Sequence, residues 1–220
     1  MPTLLSRSKP RRLRIPPPRE RTRRVLRRAE ARRSRLGSLR IAAGRLDQSL
    51  LMALRTRRHH PIAERAAQGL ATFGEFGIGW TALALAGSAL GGGQEPVAVA
   101  AAGAAPAAIG INYLVKSTVG RERPVIEGHP PLGPAPNELS FPSAHATSAV
   151  AAATALGRVA PRARPALYAL AGLICLGRPY LGMHYPSDVL AGVALGYGIG
   201  RLWPLPPEAG DEADAAEVPR

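Results

Sequence analysis

The sequence predicts an all-α membrane protein, a polytopic bundle of about five transmembrane helices. Apolar residues make up 46% of the chain and aromatic residues only 5%. Uncharged stretches at residues 76–93 and 97–115 are long enough to cross a hydrocarbon core of about 30 Å. Residues 1–40 carry 15 Lys/Arg against 2 Asp/Glu, whereas the rest of the chain is nearly neutral. The single Cys175 excludes a disulfide scaffold and a cysteine-based zinc or iron–sulfur cluster.

Residues 1–40 are expected to form a basic, largely disordered cytoplasmic tail. Its arginine pairs repel one another, and the run Pro16-Pro17-Pro18 resists helix formation. Positive charge is retained on the cytoplasmic side of a membrane and attracts anionic lipid headgroups, which are the expected partner. Nucleic-acid binding competes with this interpretation, but the tail has no aromatic residue to stack on bases, so no nucleic acid is expected. A topology signal without any partner is the third alternative.

Residues 41–75 are predicted to be an amphipathic segment at the membrane interface. Leu46, Leu50, Leu51 and Leu54 recur at helical spacing, while arginines between residues 55 and 65 interrupt any crossing. A surface helix therefore fits this segment better than a transmembrane one.

Residues 76–205 are predicted to be the membrane domain. Besides the two long stretches, uncharged runs of 12 residues occur at 146–157, 166–177 and 189–200. Each becomes long enough to cross if the arginine at its end extends to the interface. The many Ala and Gly residues favour close helix contacts in a bilayer. Residues 206–220 are expected to be an acidic, disordered tail.

Three polar segments interrupt this apolar domain, and ionisable groups at membrane depth are functional candidates. Lys116, Arg123 and Arg178 supply three cations, enough to match a phosphate dianion, and the arginine fork pairs with phosphate oxygens. Lys116 and Arg123 are seven residues apart, so they share one helix face if the helix continues past Gly120.

The remaining polar residues complete a set for phosphoryl transfer. Ser143 precedes a helical run, where an N-cap hydroxyl and free amides form an anion site. His184 and Asp188 are four residues apart, so the carboxylate can hold one ring nitrogen and leave the other free to attack. His145 can donate a proton to a departing oxygen. This chemistry needs no metal.

The chain resembles the type 2 phosphatidic acid phosphatase superfamily, which includes lipid phosphatases and vanadium haloperoxidases. The family pattern is K-x6-R-P, then P-S-G-H, then S-R-x5-H-x3-D. Matching positions here are Lys116/Arg123/Pro124, Pro142/Ser143/His145 and Arg178/His184/Asp188. The resemblance implies a helical bundle and a metal-independent phosphatase with His184 as nucleophile, His145 as general acid then base, and Asp188 as partner of His184. It also implies phosphate contacts from Lys116, Arg123, Ser143, Arg178 and the amide of Ala144.

Two positions depart from the family pattern. Ala144 replaces a usual glycine, and its amide is still available if the backbone dihedrals suit a residue with a Cβ. Gly177 replaces a usual serine, which removes a hydrogen bond worth about 0.5–1.5 kcal/mol. We therefore expect the protein to bind its substrate more weakly but to remain active.

Other interpretations of these residues stay open. The cations could be interfacial anchors and the histidines ordinary core residues. His145, His184 and Asp188 could instead bind a metal, although no further residue has clear ligand spacing. A haloperoxidase and a non-catalytic protein that binds anionic lipids are the alternative functions.

The charge distribution predicts a multi-pass protein of the cell (inner or plasma) membrane with a cytoplasmic N-terminus. If residues 76–93 cross first, all three motifs meet at the cytoplasmic face. That side suits phosphatidate, phosphatidylglycerophosphate or a phosphorylated sugar on a polyprenyl carrier better than undecaprenyl diphosphate. The arginine-rich start and Ala/Gly/Arg bias resemble the decaprenylphosphoryl-5-phosphoribose phosphatases of cell-wall arabinan synthesis, so a polyprenyl-phosphoryl-phosphoribose is the expected substrate.

Overall fold

The computed structural model describes residues 37–38, 41–57, 59–91, 95–135 and 137–206. The regular secondary structure of these residues is helical, apart from an isolated antiparallel β-bridge between Glu122 and Leu139. The predictions for most of the basic tail and for residues 207–220 lie outside the described residues. The chain divides into two units, Met1–Arg45 and Leu46–Arg220, and the site belongs to the second.

Eight α-helices follow one another in the described residues. They are α1 (residues 41–56), α2 (Pro61–Gly74), α3 (Ile78–Gly91), α4 (Glu95–Ala102), α5 (Ala104–Val119), α6 (Ala144–Val159), α7 (Arg164–Tyr180) and α8 (Pro186–Leu202). Short 3-10 helices, Glu75–Gly77 and Pro161–Ala163, precede α3 and α7. Each of the five uncharged runs of the sequence is therefore helical, with the run at 97–115 divided into α4 and α5 near Gly103.

Helix α6 lies at the centre of the bundle, and its residues 146–157 are buried throughout. Helix α8 packs against it through Gly192, Gly196 and Gly200, one glycine per turn. A Cβ on Gly192 would lie 2.7 Å from the carbonyl oxygen of Ser143, and one on Gly200 would lie 2.5 Å from that of Ala151. Only glycine permits so close an approach of two helix backbones, which is the small-residue packing found in membrane bundles.

The distribution of residue types is inverted relative to a soluble protein. The core consists largely of alanines, whereas large leucines lie on the outer faces of the helices. Leu114 is 71% exposed, Leu176 is 65% exposed and Leu190 is 68% exposed. Val97–Val119 is the one segment of the described residues that is long and apolar enough, taken alone, to cross a membrane.

The segment at residues 41–75 forms two helices, α1 and α2, joined near residue 58. Helix α1 turns Asp47, Leu51 and Arg55 inward, and all three are buried. Leu46, Leu50 and Leu54 lie on the opposite side and are exposed. The predicted helical spacing is present, but the inward face of α1 carries charges as well as a leucine.

Candidate active site

A cavity of about 90 Å³ lies where the N-terminal end of α6 meets the C-terminal ends of α2, α5 and α7. One water molecule needs about 10–15 Å³ by the same measure, so the cavity has room for a group of several atoms such as a phosphate. The lining includes the following residues that carry chemistry: Lys116, Arg123, Ala144, His145, Arg178 and His184. Phe76, Ile109 and Tyr113 supply apolar lining.

Lys116, Arg123 and Arg178 all line this cavity, but Lys116 and Arg123 are not on one helix. Helix α5 ends at Val119 because Gly120 adopts a left-handed conformation, with φ of 64°. Lys116 and Arg123 would share a helix face only if the helix continued past Gly120, and that condition is not met. Arg123 returns to the cavity in the loop that follows, held by its backbone hydrogen bond to Glu138 and by donation from Nε to the carbonyl of Asn137 at 2.8 Å.

Three buried polar atoms in or beside the cavity have no hydrogen-bond partner among the described residues. They are Oγ of Ser143, Nε of Arg178 and Nδ1 of His184. Arg178 is only 4% exposed, so its charge is desolvated, and a buried unpaired donor is costly. An anion in the cavity is the partner that such groups require.

Ser143 is the N-cap residue of α6, as predicted, and Ala144 is the first residue of that helix. The hydroxyl of Ser143 does not cap the helix; its carbonyl accepts instead from the amide of Thr147. The hydroxyl and the first amides of α6 are thus available together, and the helix dipole favours negative charge at this end.

His184 lies in the turn before α8 and is 2% exposed. Burial and the positive charges of Arg178, Arg123 and Lys116 lower the pKa of His184 well below its ordinary value. Its Nε2 lies 3.3 Å from Nη1 of Arg123. A guanidinium can only donate, so Nε2 accepts and the neutral ring carries its proton on Nδ1. In this tautomer the lone pair of the ring lies on Nε2.

Asp188 is fully buried at the start of α8. Its Oδ2 accepts from the amide of Tyr185 at 2.9 Å and lies 3.7 Å from Nδ1 of His184. The predicted carboxylate–histidine hydrogen bond is thus not formed here, because 3.7 Å is too long for a direct hydrogen bond and the neutral ring makes no ion pair. Oδ1 of Asp188 binds Arg121 at 2.7 Å, so the carboxylate pairs with Arg121 and not with Arg178.

His145 lies one residue after Ala144 on α6, and its Nε2 is 3.2 Å from the carbonyl oxygen of Ala71 on α2. A carbonyl can only accept, so Nε2 carries a proton and donates it to Ala71. The other ring nitrogen, Nδ1, is then the one that can take up and release a proton.

Comparison with known proteins agrees with this geometry. The model of the PAP2 superfamily matches residues 97–208, which include all three motifs. The decaprenylphosphoryl-5-phosphoribose phosphatase of Mycobacterium tuberculosis is 46% identical over 140 residues, covering 62% of this chain and 76% of that protein.

The chain belongs to the PAP2 superfamily.

Two further relatives agree with that membership. The enzyme of the same name from Mycolicibacterium smegmatis is 40% identical over 129 residues, covering 57% of this chain and 69% of that protein. The crystal structure of a transmembrane PAP2-type phosphatidylglycerolphosphate phosphatase from Bacillus subtilis aligns with a TM-score of 0.60 at 21% identity. It covers 81% of this chain and 89% of that one. The resemblance inferred from the sequence is confirmed, and this all-α fold is that of PAP2 membrane phosphatases.

The PAP2 motifs of this chain converge on one cavity. Of the eight predicted site residues, Ser143 and Asp188 do not line it directly; both are buried beside it, where the amide of Ser143 donates to the carbonyl of Asp188 at 3.0 Å. A Cβ at Gly177 would point toward Ala67 of α2 at 3.6 Å, and Gly177 does not line the cavity. A serine at position 177 would therefore not reach into it directly.

Three residues around the PAP2 site were missed in the sequence. Asn112 is fully buried and donates to Oγ1 of Thr147 at 2.9 Å and to the carbonyl of Pro142, which ties α5 to the start of α6. Arg121 and Asp47 bind each other at 2.8 Å. Asn112 precedes Lys116 by one helical turn, a spacing that could have indicated a shared face. No local pattern links Asp47 to Arg121.

Proposed function

We propose that this PAP2 protein is a metal-independent phosphatase that hydrolyses a phosphomonoester on a membrane lipid through a phosphohistidine on His184. One observation carries the proposal: the neutral His184 presents the lone pair of Nε2 at a cavity of phosphate size lined by Lys116, Arg123 and Arg178. The enzyme class, a phosphoric monoester hydrolase, is that of the named relatives.

In the first step, Nε2 of His184 attacks phosphorus and forms a P–N bond while the P–O bond to the lipid breaks. The electron pair of that bond goes to the leaving oxygen, which takes a proton from His145 and departs as an alcohol. His145 carries that proton in the substrate complex, where the negative charge of the bound phosphate offsets the neighbouring cations. Lys116, Arg123, Arg178, the hydroxyl of Ser143 and the amide of Ala144 stabilise the charge on the equatorial oxygens.

In the second step, neutral His145 takes a proton from water while the water oxygen attacks phosphorus. The P–N bond breaks, its electron pair returns to Nε2 of His184, and inorganic phosphate leaves. The negative charge of Asp188, 3.7 Å from Nδ1, stabilises the positive charge that the His184 ring carries in the phosphohistidine.

The proposed substrate is a polyprenyl-phosphoryl-phosphoribose, as in decaprenylphosphoryl-5-phosphoribose. The two mycobacterial relatives named for that substrate, at 46% and 40% identity, support it. Its ribose 5-phosphate is a monoester, which the small cavity can hold while the isoprenoid chain stays in the bilayer. Phosphatidate, phosphatidylglycerophosphate and undecaprenyl diphosphate are the alternatives.

The proposed membrane arrangement has five crossings, formed by α3, α4 with α5, α6, α7 and α8. The exposed leucines of α5, α7 and α8 and the alanine core support it, because lipid replaces water around such a bundle. Helices α1 and α2 then lie at the interface, with Leu46, Leu50 and Leu54 of α1 toward the acyl chains. The basic residues 1–40 are proposed to bind anionic headgroups.

We place the protein in the cell membrane with its N-terminus and active site at the cytoplasmic face. Odd and even crossings alternate sides, so the loop at Glu127 and the turn at Arg162 lie on opposite faces. Glu127→Cys and Arg162→Cys in a Cys175→Ala background test this with a membrane-impermeant thiol reagent. Labelling of residue 162 alone in intact cells is expected, and labelling of residue 127 alone would place the site outside.

Phosphate release by the detergent-purified chain in the presence of EDTA tests the function. A polyprenyl-phosphoryl-phosphoribose, a polyprenyl diphosphate and phosphatidate are compared, with His184→Ala as the inactive control. Preferred release from the first substrate is expected. Preference for another would change the substrate and keep the enzyme class, whereas equal release by His184→Ala would exclude the phosphohistidine.

The site geometry disfavours the other functions. A metal bound by His145, His184 and Asp188 would face three cations, and Asp188 already binds Arg121. A protein that only binds anionic lipids does not require a neutral histidine within the cation cluster. Absence of phosphate release from every substrate, with lipid association that depends on residues 1–40, would favour such a binder.

A further inference from the structure

Helix α1 contacts the start of α8 through one buried carboxylate, Asp47. Its Oδ1 accepts from the amide of Ser187 at 2.8 Å, and its Oδ2 accepts from the Ser187 hydroxyl at 2.6 Å. Burial raises the pKa of the Asp47 carboxyl, but hydrogen bonds from Ser187 and Arg121 outweigh that effect and hold the pKa below its ordinary value. Asp47 is therefore an anion in the folded protein.

Arg121 joins Asp47 to Asp188 with its two terminal nitrogens. Nη2 donates to Oδ2 of Asp47 at 2.8 Å, and Nη1 donates to Oδ1 of Asp188 at 2.7 Å and to Oγ of Ser187 at 2.7 Å. The guanidinium also lies 4.0 Å from the centre of the Tyr185 ring. These contacts fix the orientation of Arg121, because the planar guanidinium binds a carboxylate with each terminal nitrogen and cannot rotate without breaking one of the two ion pairs.

Among the described residues, Arg121 is the cation that directly contacts Asp188, and the other oxygen of Asp188 lies beside Nδ1 of His184. The other charged or titratable groups around Asp188 are His184, Lys116, Arg123, Asp47 and Tyr185. Lys116 and Arg123 are in the phosphate cavity, where a bound substrate engages them. Arg121 does not line that cavity, so its contact with Asp188 is independent of substrate.

We propose that Asp47 and Arg121 are positioning residues that hold the Asp188 carboxylate beside Nδ1 of His184, so that the interfacial helix α1 acts on the nucleophile through two ion pairs. The inference rests on the proposed phosphohistidine function. Neither residue touches the phosphate. Their effect is to set the position and charge of Asp188, and through it the orientation of the attacking ring.

Kinetics of Asp47→Asn and Arg121→Gln test this role. Loss of the carboxylate partner of a metal-ligating histidine typically costs about 10- to 100-fold in activity, and we expect a loss of the same order for these partners of Asp188. We expect that loss in kcat, with KM changed by less than about twofold, because the phosphate contacts are intact. In Arg121→Gln the acidic limb of kcat/KM should move to higher pH, since Asp188 loses a cation that favours its ionised form. Asp47→Asn should show no such upward shift, because it removes a negative charge.

Arg55→Gln is the matched control. Arg55 is buried on the same inward face of α1 and donates to the carbonyl of Pro130 at 2.7 Å, outside the Asp47–Arg121–Asp188 chain. It should keep kcat within about threefold, and Asp47→Glu should recover part of the activity. An equal loss in Arg55→Gln would show that general docking of α1 is responsible, and unchanged kcat in Asp47→Asn and Arg121→Gln would overturn the proposal.

Histidine ¹⁵N spectra of the full chain provide a readout that does not depend on turnover. Arg121→Gln should reduce the fraction of His184 that carries its proton on Nδ1, whereas Arg55→Gln should not. If the wild-type chain releases no phosphate, the proposed function fails while these spectra still decide the positioning role. An unchanged His184 signal in Arg121→Gln would refute it.

Discussion

Substitution of Gly192 by alanine is expected to force α8 away from α6 at the point where both helices support the active site. The new Cβ would lie 2.7 Å from the carbonyl oxygen of Ser143, 3.0 Å from Cβ of Ala146 and 3.2 Å from Oγ1 of Thr147. The nearest contact is backbone, which cannot rotate aside as the end of a side chain can. The helices must therefore separate locally.

The size of the effect follows from that distance. Ordinary contact begins near 3.4 Å, so Ser143 and α8 must separate by about 0.7 Å. Such overpacking costs about 1–3 kcal/mol of stability. A misplacement of about 1 Å near the chemistry can cost about 100-fold in rate, so we expect a loss of about 10- to 100-fold in kcat.

Gly198→Ala is the matched control on the same helix. No atom lies within 4 Å of a Cβ at position 198, so the substitution should stabilise the helix by about 0.5–1 kcal/mol and leave activity unchanged. Thermal unfolding in detergent and phosphate release are measured for both variants. A lower melting temperature and lower kcat are expected only for Gly192→Ala, and identical behaviour of the two variants would refute the packing argument.

Three further predictions concern the site itself. Arg178→Lys keeps the positive charge but loses the planar guanidinium, which can donate two hydrogen bonds to a phosphate, so KM should rise about tenfold. An unchanged KM would contradict the proposed phosphate contact. Gly177→Ser should change KM by less than about twofold, because a side chain there points toward Ala67; a large fall in KM would show that the serine reaches the phosphate. The lowered pKa of His184 means that the unfolded chain binds more protons below about pH 6.5. Stability should therefore fall on acidification by up to about 1.4 kcal/mol per pH unit more than in His184→Gln, and equal slopes would contradict the burial of a neutral ring.

The sequence contained most of the information on helices and reactive groups. The described residues of all five uncharged runs are helical, with the run at 97–115 divided into two helices, because a run of apolar residues is a pattern of near neighbours in the sequence. The gathering of the motif residues at one cavity could be predicted because each motif is short and resembles a known family pattern. The glycine at every fourth position of α8 is also visible in the sequence and indicates the close contact with α6.

The loop between α5 and α6 could not be predicted in the same way. Gly120 ends α5, and the chain then reverses so that Arg123 reaches the cavity from a loop and not from a helix face. A glycine permits either continuation or termination of a helix, and packing of the following residues decides between them. The distance of 3.7 Å between His184 and Asp188 likewise depends on how the turn before α8 is held.

The sequence by itself identified the groups that the proposed mechanism uses and the segments that are helical, because both are encoded within a few turns of chain. Only the tertiary structure decided that Arg121 forms ion pairs with both Asp47 and Asp188. Asp47 and Arg121 are separated by 74 positions, and Asp47 binds Ser187 across 140. No local periodicity relates residues so far apart; their contact exists because α1 packs against the start of α8, where one half-buried cation, Arg121, pairs with two buried carboxylates.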